Sequence, residues 1–382
     1  MRAVKTNAIF AFVLILIIMI AVSLSASGET AFASKTDELL HNLSHNDSKV
    51  RAQAAWALGK SGDMKAIDPL ITALEDNDSN VREWAAIALA KIGGPSLDQL
   101  LAALKSKNDS VKWQAAAILG LINDSSATEA LCSMLKSNNS TVRYWAAAAL
   151  GEIKDKRSLD PLSSALADGN EIVRDKAGWA IASLPGKETV DLLIELLQDE
   201  NCSKRTGAAR ALGYRADDAA VQPLIAVLED DQDQVRREAI GALAAIGKQA
   251  TEDLVTALNG TGNKTQEAAA EALRRIGDER SIKPLIRAFQ TGDDSVRHSA
   301  ATALSAINAS FAVEPLISML QDLNAKEDLR SDAAWALGIM GDKRAKVPLI
   351  TAMSSDPDSS VRMSAAKALK SVDGISVPEY KI

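Results

Sequence analysis

Two of the three histidines in the chain have the spacing of a metal site. His41 and His45 are four residues apart and Glu38 precedes them by about one turn, so on one helix the three side chains could share a metal ion. The alternative is that both imidazoles are solvated polar groups at the end of the fold. The third, His298, is far away in sequence. We assign no metal ligand from this pattern.

No motif of a known catalytic type occurs in the chain. The segment 260–265 (GTGNKT) resembles a phosphate-binding loop but lacks the Gly-Lys pair, and no predicted strand precedes it. Neither G-x-S-x-G nor H-E-x-x-H is present, and repeated helix caps explain the abundant carboxylates. Cys132 and Cys202 have no sequence-adjacent histidine that would activate a thiol. The sequence therefore predicts no catalytic residue, no metal site and no cofactor, in a protein that is not an enzyme.

Composition excludes several other classes of protein. The 382 residues are 47% apolar and include two cysteines, which excludes a disordered chain and a disulfide-stapled scaffold. The 43 basic and 50 acidic residues give a net charge of −7, so nucleic acid is not an expected partner. Aromatic residues are few, at 4%, yet the six tryptophans outnumber both phenylalanine and tyrosine.

Residues 1–33 have the features of an export signal. Arg2 and Lys5 precede an apolar run over residues 8–24, and Ala31 and Ala33 supply an A-x-A cleavage site. The alternative is an uncleaved signal anchor, although the run would span only about 25 Å as a helix against about 30 Å for a hydrocarbon core. Both interpretations predict an extracytoplasmic protein, secreted or attached to the cell envelope, that contacts a membrane only through this segment if it is uncleaved.

The rest of the chain repeats itself about every 31 residues. Valine followed by arginine marks the repeat at Val50, Val81, Val142, Val173, Val235, Val296 and Val361. Degenerate copies begin at Val111, Lys204, Thr265 and Leu329, which gives eleven repeats. Four residues after each marker stands an alanine, and eight residues after it a leucine, with Ile181 as the one exception.

These columns predict two helices in every repeat. Positions 0, 4, 7, 8 and 11 after the marker are small or apolar, which is one face of a helix that we call helix B. A second apolar pattern precedes it and defines helix A. Prolines at its first turn fit this assignment, because a missing N–H has no cost there: Pro69, Pro161, Pro223, Pro284, Pro315 and Pro348. A single pair cannot bury its apolar stripe, whereas stacked pairs can.

The pattern resembles HEAT repeats, and specifically the short phycobilisome-lyase-type HEAT-like repeat, over residues 35–373. The resemblance implies an all-α fold, a right-handed α-α superhelix or α-solenoid of about eleven helix pairs, followed by a tail at 374–382. HEAT repeats carry an aspartate six residues before the arginine, and in that family these side chains form a ladder between neighbouring repeats. Five repeats match: Asp76 with Arg82, Asp168 with Arg174, Asp199 with Arg205, Asp230 with Arg236, and Asp356 with Arg362. Because six repeats lack the aspartate, the ladder is expected to be incomplete.

Large aromatic residues are predicted on the solvent side of helix B. At about 100° per residue, positions 2 and 6 point away from the buried face, and the resemblance places this side on the concave surface of the solenoid. The candidate partner-binding residues are Trp56, Trp113, Tyr144, Trp179, Tyr214 and Trp335. Trp84 and Trp145, at the flanking position 3, are expected to pack between repeats. The alternative is that all these rings only cover neighbouring helices.

We therefore expect an exported, non-enzymatic interaction scaffold for a protein, peptide or glycan partner. The alternative function is an accessory enzyme subunit. HEAT-like relatives include bilin lyases, but the shared pattern carries no chemistry, and di-iron HEAT hydroxylases carry His-Glu dipeptides that this chain lacks.

The chain is also rich in N-glycosylation sequons. Asn-x-Ser/Thr occurs at 11 of the 15 asparagines. Inheritance of the repeat explains Asn46, Asn77, Asn108 and Asn139, which occupy one repeated position where turn and cap residues are favoured. It does not explain the candidate glycosylation sites Asn123, Asn201, Asn259, Asn263 and Asn308.

Overall fold

The structure is a computed structural model that describes residues 32–307 and 310–373 of the chain. The predicted leader up to residue 31, Asn308 and the predicted tail 374–382 lie outside the described residues. The chain divides into two compact parts, an N-terminal part that ends at Thr189 and a C-terminal part that begins at Val190.

Every regular element in the described ranges is a helix. The first ten α-helices belong to the N-terminal part: α1 (Phe32–Asn42), α2 (Ser48–Ser61), α3 (Ile67–Ala73), α4 (Ser79–Ile92), α5 (Leu97–Ala103), α6 (Asp109–Ile122), α7 (Thr128–Met134), α8 (Ser140–Ile153), α9 (Leu159–Ala165) and α10 (Glu171–Ser183). The boundary between the parts falls within α11 (Lys187–Leu196). The C-terminal part continues with α12 (Cys202–Arg215), α13 (Val221–Ala226), α14 (Asp233–Ile246), α15 (Thr251–Leu258), α16 (Asn263–Ile276), α17 (Ile282–Thr291), α18 (Asp294–Ala306), α19 (Ser310–Gln321), α20 (Glu327–Met340), α21 (Lys346–Ser355) and α22 (Ser359–Asp373).

The odd-numbered helices are the predicted A helices and the even-numbered ones the predicted B helices. Within each part, the A helices other than α11, which contains the boundary, pack on the B helix that follows them, and successive B helices pack side by side. The all-α fold of stacked helix pairs is confirmed. Within the described ranges, no helix combines the length and hydrophobicity that crossing a bilayer requires.

Side-chain caps explain where the B helices begin. The residue before the helix is often Asp or Asn in an extended conformation, and its side chain accepts a backbone N–H of the first turn, as Asp78 and Asn108 do. Most A helices instead follow a short 3₁₀ turn such as Met64–Ala66. Pro315 differs from the prediction, because it lies inside α19 rather than in its first turn. The α-helix there includes the residues that form a 3₁₀ turn in other repeats.

The core consists of the alanine and leucine columns of helix B. All eleven alanines of the column are buried, and so are the ten leucines and Ile181, as the sequence predicts. Glycines let some B helices touch backbone to backbone. A Cβ built on Gly120 would lie 2.8 Å from the Cα of Ala149 on the next B helix, and one on Gly59 would lie 2.5 Å from the Cα of Ala88. No side chain fits between the helices at these points.

Candidate functional site

The aromatic side chains of the N-terminal part differ in how far they reach solvent. Trp56 on α2 is 49% exposed, and the Nζ of Lys60, one turn later, lies 5.4 Å from its ring centroid. The next B helix, α4, carries the buried Ile87 at the position equivalent to Trp56. Trp56 is thus an apolar surface with a cation beside it.

A group of three rings lies on α6 and α8. The ring of Trp113 stacks on Trp145 of the following repeat, with centroids 5.8 Å apart and planes at 25°. Tyr144 meets the same Trp145 ring edge to face at 5.4 Å. Trp145 is buried, whereas Trp113 and Tyr144 are half-buried. We call these three residues the aromatic cluster. Packing of Trp145 between repeats agrees with its flanking position in the sequence.

A lysine extends the aromatic cluster toward α10. The Nζ of Lys176 lies 4.3 Å from the ring centroid of Trp179 and 5.3 Å from that of Tyr144 on the preceding B helix. Burial lowers the pKa of Lys176, against the opposing charge of Glu152. We call Tyr144, Lys176 and Trp179 the lysine clamp. Trp179 also packs on α8, because its ring occupies the space that a Cβ on Gly151 would fill.

The two aromatic candidates of the C-terminal part have different surroundings. Tyr214 on α12 is 55% exposed. Trp335 on α20 is half-buried and stacks on the imidazole of His298 of the preceding repeat, with ring centroids 4.3 Å apart.

Of the predicted partner-binding residues, the structure brings three together in the N-terminal part. Trp113 and Tyr144 both contact Trp145, and Tyr144 and Trp179 both contact Lys176.

The predicted aspartates occupy a repeated position between neighbouring repeats. Four of the carboxylates accept two hydrogen bonds each from the arginine of the preceding repeat: Asp76 from Arg51, Asp168 from Arg143, Asp230 from Arg205 and Asp356 from Arg330. The hydrogen bond from Arg51 holds the pKa of Asp76 below its ordinary value. We call these pairs the arginine ladder.

The arginine six residues after each aspartate contacts the backbone of its own repeat. In every predicted pair its Nη1 donates to the carbonyl oxygen of the aspartate in its own repeat: Arg82 to Asp76, Arg174 to Asp168, Arg205 to Asp199, Arg236 to Asp230 and Arg362 to Asp356. The carboxylate of Asp199 forms an ion pair with Lys204, 2.9 Å away in the same repeat. Arg297 is paired with Asp332, which stands outside the aspartate column.

Sequence reasoning missed a second set of contacts between repeats. Asp155 accepts a hydrogen bond from the Thr128 hydroxyl of the preceding repeat, while Arg157 binds both Asp155 and the carbonyl oxygen of Ser125. The hydrogen bond from Arg157 lowers the pKa of Asp155 to about 2. Asp278, Arg280 and Thr251 repeat this arrangement in the C-terminal part, and the pKa of Asp278 is likewise lowered to about 2. An Asp-x-Arg signal was present in the sequence at both places.

The structure does not place the two candidate metal ligands on one helix. α1 ends at Asn42, so His45 lies beyond it, where its Nδ1 accepts the backbone N–H of Asp47. The helical spacing on which the metal interpretation rested is therefore wrong. Across the described ranges, no group of three or more His, Cys, Asp or Glu side chains could hold a metal ion.

The two cysteine thiols are free and have different surroundings. Cys132 lines a cavity of about 450 Å³ between α7 and α9, and burial raises the pKa of its thiol to about 11. Cys202 is exposed.

Four of the five candidate glycosylation asparagines lie at the surface. Asn123, Asn201, Asn259 and Asn263 are exposed, and Asn308 lies outside the described residues. The Oδ1 of Asn201 caps α12, which leaves its Nδ2 out of the cap. In contrast, the Nδ2 of Asn259 donates to the carbonyl oxygen of Val255, and that of Asn263 to Asp293.

Comparison with known proteins assigns the family. HEAT repeats match residues 36–109, 97–182, 159–244, 189–262, 225–305, 251–331 and 288–370. The chain belongs to the HEAT-repeat family. No curated protein matches it.

Solved structures with similar folds include karyopherins. Kap121p bound to Pho4p gives a TM-score of 0.53 at 15% identity, over 90% of this chain and 46% of that one. Kap121p bound to the extreme C-terminus of the protein phosphatase Cdc14p gives 0.52 at 15% identity, over 97% and 49%. The chain thus spans about half the length of these structures, and the likeness supports the α-solenoid fold.

Proposed function

We propose that this chain is a non-enzymatic scaffold that binds a protein partner on the solvent side of its N-terminal B helices. The observation that carries the proposal is the aromatic surface formed by Trp56, Trp113, Tyr144 and Trp179. Large aromatic side chains at solvent-facing positions are the typical energetic centres of protein interfaces.

Packing accounts for only part of this surface. Trp145 is buried between repeats, and Trp179 covers Gly151. Trp56 is half-exposed and Trp113 keeps partial access to solvent, although helix packing alone would favour covering both. A partner that covers these rings would remove apolar surface from water at little cost in side-chain entropy.

Protein is the partner class that we favour over a glycan. One similar fold, Kap121p, carries a protein partner in two solved structures, Pho4p in one and the extreme C-terminus of Cdc14p in the other. We transfer from them only the kind of partner. In the C-terminal part, Tyr214 and Trp335 are proposed as further partner-binding residues.

The compartment and the subfamily also belong to this proposal. The leader at residues 1–33 supports export, with the segment cleaved or retained as an anchor. Outside the cytoplasm the exposed sequons at Asn123, Asn201, Asn259 and Asn263 would be available for N-glycans, as would Asn308. The short repeat length supports the phycobilisome-lyase-type subfamily of HEAT-like repeats.

The experiment compares the wild-type chain with a Trp113→Ala/Trp179→Ala double variant in capture of the native partner. The double variant is expected to lose the partner while its helical circular dichroism stays unchanged. Met64→Ala is the matched control, because Met64 is 67% exposed but lies in a 3₁₀ turn away from the B helices. Equal capture by wild type and double variant would contradict the proposed surface, and stoichiometric metal in the purified chain would contradict the non-enzymatic assignment.

A further inference from the structure

Lys176 is a cation held against aromatic rings without an acidic partner. Its Nζ lies over Trp179 and Tyr144, and none of the described carboxylates lies within 4.0 Å of it. Glu152 acts on it only at longer range. The half-buried ammonium group has therefore lost part of its hydration without gaining a counter-ion.

The equivalent position in the C-terminal part carries a charged residue that does have a partner of opposite charge. Lys176 stands three residues after its repeat marker Val173, and Glu238 is its equivalent two repeats further on, three residues after the marker Val235. Glu238 is paired with Arg210, at position 6 of the preceding repeat, through hydrogen bonds of 3.0 and 2.7 Å. For Lys176 that preceding position is Ala148, a half-buried side chain without charge.

We propose that the partner supplies the missing carboxylate, so that the lysine clamp recognises an acidic peptide segment. This inference rests on the proposed function and names the chemistry of its partner. The carboxylate would bind the Lys176 ammonium above Ala148, and the rings of Tyr144 and Trp179 would contact the adjacent apolar atoms. Because the whole chain carries a net charge of −7, its overall charge does not favour an acidic segment, and a local cation such as Lys176 would determine where one binds.

The test uses the full chain and three sets of short fluorescent peptides with equal apolar content. The sets are acidic, neutral and basic, and binding is followed by fluorescence anisotropy at physiological ionic strength. The wild-type chain is expected to prefer the acidic set. Lys176→Met keeps most of the aliphatic stem and should weaken that binding by about tenfold or more, the usual effect of losing a hydrogen bond to a charged group.

Three further variants separate the lost charge from a structural defect. Lys176→Arg should restore binding to within a few fold, because it retains the cation. Ala148→Glu should weaken binding as much as Lys176→Met does. The new carboxylate would stand at the position equivalent to Arg210 and would pair with Lys176 from within the chain, as Arg210 pairs with Glu238. Lys91→Met removes an exposed lysine of α4 and should have no effect.

The possible outcomes distinguish this inference from the proposed function. Preference for neutral or basic peptides, equal loss in Lys91→Met, or no binding by any set overturns the acidic-segment inference. The proposed function would stand if capture of the native partner still required Trp113 and Trp179. It would fail if acidic peptides bound through Lys176 while the tryptophan double variant captured the native partner normally.

Discussion

Replacing Asp356 with alanine is expected to destabilise the last repeat strongly. Its carboxylate accepts hydrogen bonds of 3.0 Å from both Nε and Nη2 of Arg330, and a third of 2.9 Å from the backbone N–H of Asp358. The side chains of Arg330 and Asp356 are only 5% and 2% exposed. The variant would leave the guanidinium buried without its counter-ion.

The size of the effect follows from burial. Removing one member of a buried ion pair typically costs about 3–5 kcal/mol, because the other charge stays desolvated. Glu188→Gln is the matched control: Glu188 pairs with Lys156 at 2.6 Å, but the two side chains are 63% and 53% exposed. Exposed pairs contribute little to stability, since water and salt screen them, so this variant is expected to unfold nearly as the wild type does.

The assay combines urea unfolding with hydrogen exchange of individual helices. Because repeats interact mainly with their neighbours, the loss should appear first as faster exchange in α20 to α22, and α2 to α8 should keep wild-type protection. Similar unfolding curves for the Asp356 and Glu188 variants would refute the assignment of burial as the deciding factor. Uniformly faster hydrogen exchange across the chain would refute the expectation that the loss of stability is confined to the last repeats.

Three more predictions test the packing, the second set of contacts and the thiols. Gly120→Val should lower the unfolding midpoint in urea clearly, because its Cβ would meet the next helix backbone at 2.8 Å, whereas Gly169→Ala should change little because nothing lies within 4 Å. The pKa of Asp155 is lowered to about 2, so its contribution to stability is complete above its unfolded pKa of about 3.9 and is lost as pH falls toward 2. Urea unfolding from pH 5 to about 2 should therefore show a smaller decline for Asp155→Asn than for wild type. Exposed Cys202 should react with iodoacetamide at about pH 8 well before Cys132, whose pKa is raised to about 11, and equal alkylation by peptide mass would contradict this assignment.

Internal repetition made the helical core predictable from one chain. Alanine and leucine recur at fixed positions because each repeat packs against its neighbours in the same way. The structure buries every residue of these two columns. The aspartate column could likewise be read from spacing. Which arginine meets each carboxylate could not, because Arg51 reaches Asp76 only through the stacking of two repeats.

Residues outside the repeated columns were harder to predict. Asp332 replaces a column aspartate as the partner of Arg297, although it comes from a different position of its repeat. His45 lies outside the helix of His41 because α1 ends at Asn42. The four-residue spacing of the two histidines does not determine where a helix ends.

The candidate site was partly visible in the sequence. A helical projection placed Trp113, Tyr144 and Trp179 on the solvent side of helix B, since that calculation needs only the angle per residue. The position of Lys176 over two rings depends on how α8 and α10 approach each other, and no periodicity reports it.

The glycine contacts between B helices have a consequence for how binding specificity can change. Where Gly59 and Gly120 meet the backbone of the next helix, main-chain atoms rather than side-chain volumes set the distance between the two helices. Substitutions at the solvent-facing positions therefore leave that pitch unaltered. In the N-terminal part, residues that contact a partner can therefore be replaced one helix at a time while the spacing of these helices stays the same.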